Sequence, residues 1–259
     1  MSKETSPSGH VESDSVPGQP CCPVVELRQY TLQPGKRDVL IELFDRKFVE
    51  SQEALGMRIL GQFRDLGDPN HFVWLRGFRD MTSRAQGLTA FYSGPIWKAN
   101  SKAANETMVD CDNVLLLRPA RAGSGFSLDM ANRPSIGAPE VPAGFVVATI
   151  CHLGPGSEGD FVDYFEDTLE PRLRDAGASI AGYFVTEHSP NNYPALPVRE
   201  GENVFAWFSR FRDQAAYERH IAALARSPGR DEVEKEMTRR LRGQPEILKL
   251  SPTRRSNLR

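Results

Sequence analysis

The chain has 259 residues, 39% of them hydrophobic and 25% charged, enough for one large or two modest domains with a sizeable core. Its 32 basic and 34 acidic side chains leave a net charge of -2, which gives no field favouring nucleic acid or an anionic membrane. No run of 18 apolar residues is present, so no spanning helix is expected.

Residues 1–23 are rich in Ser, Pro and Gly, and read as a disordered tail. They have no apolar core of the kind a secretory signal needs, and acidic residues without arginine argue against a mitochondrial presequence. The four cysteines, Cys21, Cys22, Cys111 and Cys151, form no C-x-x-C pairs, so a reducing, cytoplasmic setting is expected. Cys21 and Cys22 read either as a coincidence of the tail or as a redox or metal handle.

The first element, "VVELRQYTL", alternates as a strand and runs into the turn "QPG". One face carries Leu27, Gln29 and Thr31, and the other carries Glu26, Arg28 and Tyr30. A helix follows, with Val39, Leu40, Leu43, Phe44 and Phe48 at three- and four-residue spacing. Two strands come next, "MRILGQFRDL" and "FVWLRGF", and then a second helix that Pro95 interrupts. "VLLLRP" at 114–119 closes the unit as a last strand.

The same order is then written again. "LQPG" at 32–35 recurs as "LGPG" at 153–156, and Gly61-Gln62-Phe63 recurs as Gly182-Tyr183-Phe184, both 121 residues later. "FRD" at 78–80 recurs at 211–213, an offset of 133, which then pairs Trp74 with Trp207 and Pro95 with Pro228. The extra twelve residues fall in "HSPNNYPALPVREGEN" of the second copy. The second copy starts with the strand "FVVATICHL", and Ser157 with Asp160 predicts a capping box before its first helix. The segment between the copies is rich in Gly, Pro, Ala and Ser and reads as a linker; its "GSG" lacks the third glycine and following helix of a phosphate loop.

Each copy has the β-α-β-β-α-β order of a ferredoxin-like unit, whose sheet has one bare face. Packing the two bare faces together predicts an α+β protein, two fused ferredoxin-like repeats forming an internal pseudo-dimeric α+β barrel. The expected boundaries are a tail at 1–23, a first repeat at 24–119, a linker at 120–143, a diverged second repeat at 144–252 and a C-terminal tail at 253–259.

"ELRQYTLQPG", followed by "VWLRGFRDMTSRAQGLTAFYSGPIW", resembles the NIPSNAP family over about residues 24–119. The matching positions are Glu26, Leu27, Arg28, Tyr30, Leu32, Pro34, Gly35, Trp74, Arg84 and Trp97. The second copy departs from the motif, with Val147, Thr149, Cys151 and Tyr217 in place of Glu26, Arg28, Tyr30 and Arg84. A polar site inherited from the family is therefore expected in the first copy. The resemblance implies a dimeric α+β barrel, whose relatives include cofactor-free monooxygenases and isomerases. Animal members of the family are associated with mitochondria and vesicle traffic through partner binding.

The candidate ligand-binding residues are Glu26, Arg28, Tyr30, Trp74 and Arg76. If Leu27 faces the helices, Glu26, Arg28 and Tyr30 point into the barrel. There they form either a salt bridge that closes the barrel end or a ligand contact, with Tyr30 orienting or protonating a carbonyl or phenol. Phe72, Trp74, Arg76 and Phe78 share one strand face, which is either core or an aromatic wall for a flat, weakly acidic ligand. Tyr92, beside the helix break, is placed at the barrel mouth. The histidines form no metal motif, and His220 is expected to be exposed. No metal and no cofactor is expected. The reading ranked first is a small-molecule barrel that binds, and in its stronger form oxidises or isomerises, a hydrophobic or aromatic metabolite. The alternative is a non-catalytic interaction protein that uses the barrel as a platform. Homo-oligomers remain open.

Overall fold

The computed structural model of the protein describes residues 22–138 and 144–259. The expected N-terminal tail, apart from Cys22 and Pro23, lies outside the described residues, as do residues 139–143 of the expected linker.

β1 (Val24–Leu32) ends in a turn where Gly35 takes φ 75°, a conformation that L side chains rarely adopt. Gly156 holds the same φ at the matching point of the second copy, which explains why both "PG" turns recur. α1 (Arg37–Leu43) and α2 (Val49–Glu53) are joined by one wider, π-helical turn at Phe44–Phe48. β2 (Arg58–Asp65) and β3 (His71–Phe78) follow, then α3 (Met81–Ser93), α4 (Pro95–Asn105) and β4 (Met108–Pro119). Pro95 does more than end a helix. It sits in the first turn of the next one, where its missing N–H is not needed.

The second copy repeats this order with β5 (Phe145–His152), α5 (Glu158–Tyr164), a π turn at Phe165–Leu169, α6 (Glu170–Asp175), β6 (Ser179–Thr186), β7 (Val204–Phe211), α7 (Gln214–Arg226), α8 (Arg230–Arg240) and β8 (Glu246–Pro252). Even the π turn recurs at the same place. "FRD" recurs because its Asp is a helix cap: Asp80 accepts from the Ser83 N–H and Asp213 from the Ala216 N–H. The capping box expected at Ser157 does not form. Its hydroxyl turns back to donate to the Gly154 carbonyl instead.

The eight strands close into one antiparallel barrel in the order β1-β3-β2-β8-β5-β7-β6-β4. The two junctions between repeats are equivalent: Phe63 pairs with Pro252 as Phe184 pairs with Pro119. That is the self-complementary contact of a two-fold dimer, made here within one chain. Gly61 and Gly182 sit at strand irregularities, and a Cβ at either would press against the ring two residues on, Phe63 or Phe184.

The barrel interior is filled by apolar side chains from both repeats, among them Val25, Leu27, Val73, Leu75, Ala148 and Ile150. Phe126, from the segment between the repeats, packs into this core against Phe184 and Phe208, and Leu258 enters it near the C-terminus. Among the described residues no helix is long and apolar enough to cross a membrane.

Candidate functional site

Leu27 faces the barrel interior, so by strand alternation Glu26, Arg28 and Tyr30 face the opposite way, toward the helices of the first repeat. The sequence expectation had these two faces exchanged. The reason is physical. The inter-repeat core takes the wholly apolar partners Val25 and Leu27, because eight strands leave that interior no outlet for a charge.

Under the helices the row becomes part of a cluster. Glu26 receives three guanidiniums: Arg28 Nη1 at 3.0 Å, Arg76 Nη2 at 2.6 Å and Arg84 Nε at 2.8 Å. All four side chains have no exposed surface. Arg76 is brought in by β3, which pairs residue for residue with β1, setting Glu26 opposite Arg76 and Arg28 opposite Trp74. Arg84 comes from the first turns of α3, whose start the Asp80 cap fixes. Gln52 of α2 donates to the Phe48 carbonyl in the π turn, which leaves its own oxygen to accept from Arg76 Nη1 at 2.8 Å. The Trp74 ring is within cation–π reach of two of the guanidiniums, 5.6 Å from Arg28 and 5.0 Å from Arg76.

Burial by itself would raise the Glu26 pKa, but Arg76, then Arg28 and Arg84, outweigh it and hold the carboxyl well below the usual carboxylate range. Burial pushes the Tyr30 phenol up to about 12 against the opposing pull of Arg28. Tyr30 is therefore a neutral phenol at physiological pH. Its oxygen accepts from Arg28 Nε at 3.0 Å.

Tyr30 also faces a cavity of about 350 Å³, whose other walls include Tyr92, Trp97, Met108, Cys111 and Tyr193. Arg28 stands directly behind this cavity, since its Nη2 lies 3.5 Å from the Cys111 carbonyl. Tyr92, placed from sequence at the barrel mouth, lines this cavity under the helices instead. One wall comes from the second repeat. The twelve-residue excess between β6 and β7 crosses to the first repeat, where Asn191 and Asn192 accept from Arg84 Nη1 at 3.0 and 2.8 Å. Tyr193 stacks on Tyr92 with ring centres 5.9 Å apart.

The five residues singled out from sequence, Glu26, Arg28, Tyr30, Trp74 and Arg76, thus meet in one cluster on the helix side of the sheet. Arg84, Gln52, Asn191 and Asn192 complete it without having been singled out as a site. Arg84 carried a usable signal, its replacement by Tyr217 in the second copy; the asparagines carried only their place in the insertion. The second copy keeps the aromatic frame, with Phe165, Phe205 and Trp207 where the first has Phe44, Phe72 and Trp74. The charges are gone there: Val147, Thr149, Ser209 and Tyr217 occupy the positions of Glu26, Arg28, Arg76 and Arg84. His220, expected to be exposed, is buried on α7 against Phe211, with its ring nitrogen 3.2 Å from the Ala176 carbonyl. Among the described residues no group of His, Cys, Asp and Glu could hold a metal ion.

Comparison with known proteins places this architecture. A "putative monooxygenase" from Lactobacillus acidophilus NCFM shares the fold at 12% identity and TM-score 0.56, with 89% of this chain and 94% of that one covered. An anthrone oxidase-like protein does so at 13% identity and TM-score 0.58, with 89% and 91% covered. A NIPSNAP domain protein from Burkholderia xenovorans aligns at 18% identity and TM-score 0.33 over 43% of this chain and 99% of its own. At these identities the first two likenesses are of fold. No curated protein matches the chain in sequence. The NIPSNAP family model matches residues 25–122, the repeat that carries the arginine cluster.

Proposed function

We propose that the protein binds a small, flat hydrophobic or aromatic molecule in the cavity between the sheet and the helices of its first repeat. The observation that carries this reading is the pairing of aromatic walls with one polar contact: Tyr92, Trp97 and Tyr193 surround a space that the Tyr30 phenol enters, held from behind by Arg28. Ligand contact falls to Tyr30 at first hand; Arg28, Glu26 and Arg76 position it, and Trp74 supports the arginines.

A neutral phenol braced by a guanidinium is a hydrogen-bond donor and a proton source for a carbonyl or enol oxygen. The chemistry this suits is proton movement on a ring-bearing substrate, as in isomerisation or in oxidation by dioxygen. The fold shared with proteins described as a monooxygenase and as anthrone oxidase-like supports the oxidative form. The filled barrel interior favours a second reading, a non-catalytic protein whose barrel is a platform for a partner.

Native mass spectrometry and thermal shift with a panel of naphthalene- and anthracene-sized compounds separate the two. The first reading expects a compound that binds at one per chain and raises the melting temperature, with affinity lost in Tyr30→Phe and Trp97→Ala. An unchanged response across the panel, or binding untouched by both substitutions, would sink it.

A further inference from the structure

The buried cluster is not electrically closed. Arg28, Arg76 and Arg84 are cations and Glu26 is the only carboxylate among them, and all four are fully buried. A guanidinium does not shed its proton in a protein, so an excess of two positive charges sits under the helices. Neutral partners cannot cancel it. Gln52, Asn191 and Asn192 each offer a carbonyl oxygen, and Tyr30 its phenol oxygen.

The unsatisfied groups point the same way. Arg84 Nη2 and Trp74 Nε1 are buried with no hydrogen-bond partner among the described residues, and both are donors. The Tyr30 oxygen accepts from Arg28, and no acceptor among the described residues takes the Tyr30 proton. Both carboxylate oxygens of Glu26 are already engaged. The cluster therefore has donors to spare and acceptors fully used. Such an arrangement is costly unless an acceptor with negative charge meets it.

The second repeat provides the internal comparison. With the same aromatic frame, it has lost the acid and all three arginines together. The packing of this fold does not need the charges.

We propose that the molecule taken by this cavity is an aromatic oxyanion, a ring bearing a carboxylate or an ionised hydroxyl. Its charged oxygen accepts the Tyr30 hydroxyl, and its charge is balanced by the arginine excess. This rests on the ligand cavity assigned above and adds the charge of what enters it. The second-repeat segment at Asn191–Tyr193 closes over the same cluster, so the site is complete only in the full chain.

The test compares matched probes on the full-length protein by calorimetric titration. 2-Naphthoate is set against the neutral 2-naphthamide, and 2,4-dinitro-1-naphtholate separates an ionised hydroxyl from a carboxylate. At least one of the two anions is expected to bind about tenfold or more tighter than the amide, the worth of a charge-assisted hydrogen bond. Arg84→Met lowers the excess to one and also frees Asn191 and Asn192, so the anion should weaken about tenfold more than the amide does. The double variant Glu26→Gln/Arg84→Met restores an excess of two and should restore anion preference, even if the single variant folds poorly. If the amide binds as well as both anions, the charge assignment is overturned and the cavity stands. If no probe binds, both fall.

Discussion

Glu26 is the residue on which the site turns. It is one carboxylate shared among three guanidiniums, and removing it leaves three buried cations facing each other. Breaking a buried ion network by deleting one partner costs ~3–5 kcal/mol. Glu26→Gln is therefore expected to lose stability of that order in urea unfolding, although its shape is nearly kept. The pH dependence follows from the lowered folded pKa. Glu26 contributes fully above 4.5, its ordinary value, and the contribution drains away as the pH falls below that toward the much lower folded value. The variant should show a flatter acid limb below about pH 4.5; equal limbs would mean that Glu26 is not charged in the folded protein. From sequence the residues of the row were placed together on one face, and that face was pointed into the barrel, whereas the structure turns it to the helices. Glu26, Arg28 and Tyr30 on one face, and Trp74 with Arg76 on another strand, were all legible because period-two alternation fixes which residues of a strand stand together. Which side of the sheet they stand on depends on what covers each face.

At the scale of elements, the segment between β6 and β7 carries the difference between the repeats. Its first-repeat counterpart, between β2 and β3, is a short turn. Only the second copy has enough chain to reach across, and it reaches the cluster of the first. Tyr193 stands on that segment, stacked on Tyr92 at the cavity wall. Tyr193→Ala is expected to weaken naphthoate-sized probes about three- to tenfold, the worth of one aromatic pair, with little change in melting temperature because the segment lies outside the barrel core. No change in affinity would mean that the ligand does not reach this wall. The insertion was legible as twelve extra residues. Its target was not, since nothing local in "SPNNYPALP" names Arg84 more than 100 residues away.

At the scale of the whole molecule, the two repeats need each other. The first repeat alone would expose Val25, Leu27, Leu60, Phe63, Val73 and Leu75, which now meet the second. An isolated fragment of residues 22–138 is expected to pair with itself through that face or to aggregate, as measured by light scattering after size exclusion. A stable monomer would contradict the shared core. By itself the sequence determined the duplication, the ferredoxin-like order of each half, the closed pseudo-dimer and which residues of β1 and of β3 share a face. These rest on spacing, offsets and alternation, which are local or repeat along the chain. The tertiary structure decided which face of the first strand turns to the barrel, the arrival of Arg84 and Gln52 from the helices, and the crossing of Asn191, Asn192 and Tyr193 from the other repeat. Each of these is set by packing between distant segments, where the energy of burying a charge depends on neighbours that no local pattern encodes.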